Sequence, residues 1–236
     1  MLILHTTIYI ESMIKAIKSF FGDSKWNLAQ KLEIEWWKHY LKKKDVQMYL
    51  DWKKKYWLSF LHQIQSEISF EKGTILDIGC GPAGIYMVLS DSEVIAIDPL
   101  INSYKKNISH YIPTNYPWVR FHSVRWEDFQ STTKANTIFC INAINHFTNI
   151  NISLSVMNAN LKSGGYSIIT IDAHKRNWTK YLFSIIPADA LHPHQYTRSQ
   201  YISAIKETCP DWKLVHEKSI DEGLIFNYDL IIFQKN

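Results

Sequence analysis

Ile75-Leu76-Asp77-Ile78-Gly79-Cys80-Gly81-Pro82-Ala83-Gly84 is the stretch on which the reading of this chain turns. Thr74–Ile78 has the short apolar character of a strand buried on both faces, and G-x-G-x-x-G follows it directly. Glycines at that spacing let bare backbone leave a strand in a tight turn and approach a nucleotide-type ligand closely. Two carboxylates narrow the ligand. Asp77 stands two residues before the first glycine, where it repels phosphate and pairs with an ammonium group. Asp98 ends the next apolar run, Val94-Ile95-Ala96-Ile97, nineteen residues after Gly79. A carboxylate at that spacing accepts from the two hydroxyls of a ribose. The implied ligand has a ribose and a positive amino group, and needs no phosphate.

Outward from this stretch, short apolar runs alternate with helical ones. Thr74–Ile78, Val94–Ile97, Val119–Ser123, Thr137–Ile141 and Tyr166–Ile171 read as strands, with Trp212–Lys218 and Asn227–Gln234 as two more. Ile85–Leu89 and Asn102–Tyr111 read as helices, and Thr197 as the cap of a helix over Arg198–Lys206. The alternation implies an α/β fold, a mainly parallel sheet that binds its ligand beyond the carboxyl ends of the strands. Upstream, residues 26–68 read as two amphipathic helices that break at Lys42-Lys43-Lys44-Asp45. Leu28, Leu32, Trp36 and Tyr40 mark the stripe of the first, and Tyr49, Trp57, Phe60 and Ile64 that of the second. Residues 1–72 are expected to form a helical cap and 73–236 the ligand-binding domain, as one compact unit.

The 236 residues are 46% hydrophobic and 20% charged, which excludes gross disorder and leaves ample material for a core. Three scattered cysteines, Cys80, Cys140 and Cys209, suit a reduced cytoplasmic protein without a thiolate metal site. No apolar run approaches the ~20 residues of a membrane span, and the first ten residues lack the basic start of a signal peptide. The net charge of +4 lies wholly in residues 1–72, with twelve lysines against eight acids and no arginine. Without arginine's bidentate fork, nucleic acid is not the expected partner, and a membrane surface is a lesser alternative to plainly solvated helix faces.

LDIGCGPAG followed by VIAIDP resembles motifs I and II of the class I S-adenosylmethionine-dependent methyltransferases, and the resemblance extends over residues 73–236. It implies a Rossmann-like, seven-stranded, mainly parallel sheet with an antiparallel last strand and helices on both faces. It also implies S-adenosylmethionine as cofactor. On that resemblance Asp77 lies near the methionine end, Gly79 and Gly81 form the turn beside it, and Asp98 takes the ribose. Arg125-Trp126-Glu127-Asp128-Phe129 is similar to the motif after strand three. There Asp128 would meet the adenine amino group, with Glu127 as its rival and Trp126 as a wall. Cys140-Ile141-Asn142-Ala143-Ile144-Asn145-His146 stands at the motif IV position, which puts Asn142 among the cofactor contacts. Leu161-Lys162-Ser163-Gly164-Gly165 matches the loop before strand five. The N/D-P-P-Y motif of amino-methyltransferases acting on bases is absent, as is the acidic pattern of magnesium-dependent members.

Methyl transfer asks the protein chiefly to align a nucleophile and remove a proton, for which histidine suits neutral pH. His146, after strand four, is the first candidate base and His194 the second. Tyr40, Asp172, His174 and His192 are candidate substrate contacts. His192 and His194 with Asp172 have metal-ligand chemistry, but paired loop histidines are usually polar surface, and no metal is expected. The expected activity is transfer of a methyl group to a small, hydrophobic or aromatic acceptor, on oxygen rather than nitrogen or carbon. The alternatives are a protein or RNA methyltransferase using the basic N-terminal face, and a non-catalytic S-adenosylmethionine-binding regulatory module. An NAD-dependent dehydrogenase is disfavoured by Asp77.

Overall fold

The computed structural model describes residues 26–70, 72–174, 196–222 and 226–236. Helix α1 covers 26–41 and α2 Val46–Glu67. The lysine-rich break between them ends at Asp45, whose carboxylate caps α2 by accepting from Met48 N at 2.9 Å. The remaining elements are β1 (Thr74–Ile78), β2 (Glu93–Ile97), α3 (Ile101–Asn107), β3 (Val119–His122), β4 (Ala135–Ile141), α4 (Ile150–Asn160), β5 (Leu161–His174), α5 (Arg198–Thr208), β6 (Trp212–Glu222) and β7 (Phe226–Lys235).

Seven strands form one sheet in the order β3-β2-β1-β4-β5-β7-β6. β7 runs antiparallel to both neighbours, while β1 to β5 pair in parallel. The chain order reverses between β1 and β4, and a crevice opens there at the carboxyl ends of the strands. One face buries Ile75, Phe139, Ile168 and Ile232 against Trp57, Phe60 and Ile64 of α2. The other buries Leu76, Ile138, Ile169 and Phe233 against Leu154 and Met157 of α4 and Tyr201 and Ile205 of α5. Thr197 caps α5 in a reciprocal box with Gln200, as its sequence position predicts. Among the described residues no helix is long and apolar enough to cross a membrane.

Three expectations change. The stripe Leu28, Leu32, Trp36 and Tyr40 is not the packing face of α1: Leu28, Leu32 and Trp36 are exposed, and the helix turns Gln30, Glu33 and Trp37 inward. Ile85–Leu89 is a short 3-10 turn over Ile85–Val88 instead of a helix. Few residues lie between Ile85 and the start of β2 at Glu93, too few for a helix that crosses the sheet and a return loop. α2 packs on this turn and covers the sheet in its place. Leu161-Lys162-Ser163-Gly164-Gly165, expected as a loop, is the irregular start of β5. Leu161 pairs with Ala135, and the register then jumps to Thr137 opposite Tyr166.

Candidate functional site

The carboxyl ends of β1, β2, β4 and β5 converge on a cavity of ≈ 640 Å³ roofed by α1 and α2. Its floor begins at the glycine turn. Gly79 and Gly81 have φ of +65° and +59°, the left-handed region that glycine enters without cost. Gly79 N donates to Ile97 O at 2.8 Å and so ties the turn to β2. Gly81 N donates to Asp98 Oδ2 at 3.0 Å, and Leu100 N donates to Oδ1 at 2.8 Å. Each oxygen of Asp98 therefore keeps a lone pair for a ligand. From above, Trp57 of α2 donates its Nε1–H to Ala83 O at 2.9 Å and clamps the outer part of the turn.

The electrostatics are acidic. Burial pushes Asp98 up to about 7, with the neighbouring carboxyl of Glu33 adding to the effect, while N–H donation from Leu100 and Gly81 opposes it. Asp77 is also pushed to about 7 by burial, against the pull of Tyr86 N, which donates to its Oδ2 at 3.2 Å. Asp98 favours a hydroxyl-bearing partner, and Asp77 favours a cationic one and opposes a pyrophosphate. The fit to an adenosyl sulfonium compound rests on these carboxylate acceptors and on the bare glycine turn.

The sequence candidates fall into three groups. Gly79, Gly81, Asp98, Trp126, Glu127, Asn142, His146 and Asp172 line the cavity together. Asn142 carries the positive φ that its residue type tolerates (φ 51°), and its N–H donates to both Thr170 O and Oγ1 at 3.0 Å. Asp77 lies buried beneath the turn. Asp128 turns to Arg125, with Oδ2 2.7 Å from Nε, whereas Glu127 faces the cavity and accepts from Thr148 N at 2.8 Å. Tyr40 stands off the wall, stacked on Trp36 with centroids 5.0 Å apart and Lys44 over its other side at 4.4 Å. His174 ends β5 opposite Phe226. Its side chain, and His192 and His194 altogether, lie outside the described residues.

Several lining residues escaped the sequence reading. Tyr228 is one: antiparallel β7 enters the sheet at the ligand end, and Tyr228 pairs in register with Asp172. Its hydroxyl lies 2.8 Å from Thr170 Oγ1, next to Tyr56 of α2. Lys53 is another, half-buried with Nζ 5.0 Å from the rings of Tyr56 and Trp57, and lowered by burial to about 8. Gln30 and Glu33, at helical spacing with Trp37 on α1, also face the cavity. That spacing was the available signal.

A family model described as "Methyltransferase domain" matches residues 69–224. The chain belongs to this methyltransferase family. It is thereby an S-adenosylmethionine-dependent enzyme of class I, in agreement with motifs I and II. No curated protein matches its sequence. Among solved structures it is similar to a putative methyltransferase from Bacillus halodurans, at 13% identity and a TM-score of 0.60, over 75% of this chain and 99% of the other. It is similar to 1,6-didemethyltoxoflavin-N1-methyltransferase of Burkholderia thailandensis, solved with 1,6-didemethyltoxoflavin and S-adenosylhomocysteine bound. The identity there is 11% and the TM-score 0.54, over 78% of each chain. A third is magnesium protoporphyrin IX methyltransferase of Synechocystis with bound S-adenosylhomocysteine, at 10% identity and TM-score 0.56, over 78% of this chain and 83% of that one. At these identities the likeness is one of fold.

Proposed function

We propose that this methyltransferase moves the methyl group of S-adenosylmethionine to an oxygen of a small, flat, largely apolar acceptor. The observation that carries this reading is the composition of the wall beyond the nucleotide end. Tyr56, Trp57, Phe147 and Tyr228 line the cavity there beside His146 and Asp172. Aromatic walls favour a planar apolar acceptor, and a few convergent polar groups orient it. A small acceptor is supported by the neighbour solved with 1,6-didemethyltoxoflavin bound and by the one named as a magnesium protoporphyrin IX methyltransferase.

In this reading Asp98 and the glycine turn hold the adenosine, Trp126 and Glu127 flank the base, and Asn142 presents backbone near the methionine end. The cofactor supplies an electrophilic methyl carbon. The chain's own task is alignment and removal of one proton. His146 sits in the turn Ile144–His146, its backbone N–H donating to Ala143 O at 3.0 Å, and lines the cavity beyond the end of β4. A neutral imidazole nitrogen there takes the hydroxyl proton of the acceptor as its oxygen attacks.

The test uses labelled methyl donor with a panel of phenols and enols. His146→Gln should lower turnover about 100-fold or more, with S-adenosylhomocysteine affinity within about two-fold of the parent. Unchanged turnover would remove His146 as base. Transfer to an RNA or protein fraction, with none to small acceptors, would overturn the acceptor class.

A further inference from the structure

Helix α1 does more than roof the cavity: the residues on its inner face change in step with the floor beneath them. At the outer end Trp26 lies over the guanidinium of Arg125, 5.3 Å from ring centroid to Cζ, beside Trp126 and Glu127. One turn on, Gln30 lines the cavity with its Oε1 buried and without a hydrogen-bond partner. Glu33 follows, beside the carboxyl of Asp98 and the hydroxyl of Tyr104. Trp37 completes the face over the glycine turn, with Cζ2 3.8 Å from where a Cβ on Gly81 would lie. Positions 26, 30, 33 and 37 lie on one side of a helix, so the same face runs from the base-flanking residues past the ribose carboxylate to the turn.

An orphaned buried amide oxygen and two carboxyl groups pressed together are each unfavourable in a folded protein, and both are relieved by hydrogen-bond donors. Adenosine carries such donors: two vicinal hydroxyls and an exocyclic amine. Asp98 already gives one lone pair of each oxygen to a backbone N–H. We propose that the inner face of α1 is part of the adenosine site, with Glu33 sharing the ribose hydroxyls with Asp98 and Gln30 accepting from the base. This rests on the reading of the cavity as the S-adenosylmethionine site. It makes Glu33 a cofactor-binding residue supplied by the N-terminal helices. Burial raises Glu33 in spite of the donors beside it, the indole N–H of Trp37 and the hydroxyl of Tyr104, so that the carboxyl still gains from a further donor.

The experiment is calorimetric titration of the full chain and of Glu33→Ala with S-adenosylhomocysteine and its 2′-deoxy and 3′-deoxy analogues. Circular dichroism and thermal melting first establish that the variant is folded. Glu33→Ala should bind S-adenosylhomocysteine about 10-fold or more weakly. It should bind one deoxy analogue, the one lacking the hydroxyl that Glu33 holds, as the parent does. Equal losses for all three ligands would reduce Glu33 to a structural role and overturn the proposal, as would unchanged or tighter binding. Parent protein that binds none of the three would overturn the cofactor reading as well, so the two failures are distinguishable.

Discussion

Asp98→Asn should lower the affinity for S-adenosylhomocysteine about 100-fold or more while the protein stays folded. Hydrogen bonds to an ionised carboxylate contribute roughly 1.5–3 kcal/mol each, and two ribose hydroxyls are at stake, at about tenfold per 1.4 kcal/mol. Asparagine is a cleaner replacement than alanine. Asp98 also organises the turn through Gly81 N and Leu100 N, and an amide keeps one acceptor for them. The same residue should leave a trace in stability. Its carboxyl is held up to about 7 by burial and by Glu33, far above its value in the unfolded chain. The folded state therefore binds the extra proton, and stability present at low pH is lost as pH rises through about 7. Asp77, raised to about 7 mainly by burial, acts in the same direction. Thermal melting of the ligand-free protein should show a lower Tm at pH 8 than at pH 5.5, and Asp98→Asn should narrow that difference. A parent Tm independent of pH would contradict the assignment of raised carboxyls.

Gly79→Ala should be strongly damaging, because the added methyl meets both a dihedral cost and an overlap. The position has φ +65°, and a Cβ there would lie 2.4 Å from the Cβ of Ala143. Left-handed backbone costs a non-glycine residue roughly 1–2 kcal/mol, and the overlap adds roughly 1–3 kcal/mol more. At about 2–4 °C per kcal/mol for a chain of this size, Tm should fall by about 5–15 °C. Function should suffer further, because Ala143 precedes the turn that carries His146, and the overlap pushes both cavity loops apart. Adding Ala143→Gly removes the overlap but leaves the dihedral cost, so the double variant should recover part of the stability. Gly81→Ala, with the same φ sign but only an ordinary 3.8 Å contact to Trp37, should cost less. Equal losses at the two glycines would show that the loop contact is immaterial.

What the amino-acid sequence revealed was whatever chemistry confines to a short window. β1, the glycine turn and Asp98 were readable because close approach to backbone demands glycine at fixed offsets and a carboxylate at the end of the next strand. The cap at Thr197 was readable from its place before an apolar-periodic run, whereas its reciprocal partner Gln200 was named only by the structure. Tyr228 was not, because its place at the cavity depends on an antiparallel strand returning from the far side of the sheet. Glu33 and Gln30 were passed over in favour of the apolar stripe of Leu28, Leu32, Trp36 and Tyr40, although their spacing already put them on one helix face. Asp128 and Glu127 are adjacent and chemically alike, and only the pairing of Asp128 with Arg125 separates them. The 3-10 turn at Ile85–Val88 follows from chain length, which pattern-based reading of apolar residues does not weigh.

Calorimetric titration of the purified chain with S-adenosylhomocysteine and NAD in parallel tests the central claim most directly. The account predicts one site per chain for S-adenosylhomocysteine and no heat with NAD, because Asp77 makes the turn hostile to pyrophosphate. Binding of NAD in preference to S-adenosylhomocysteine, or binding of neither, would contradict it.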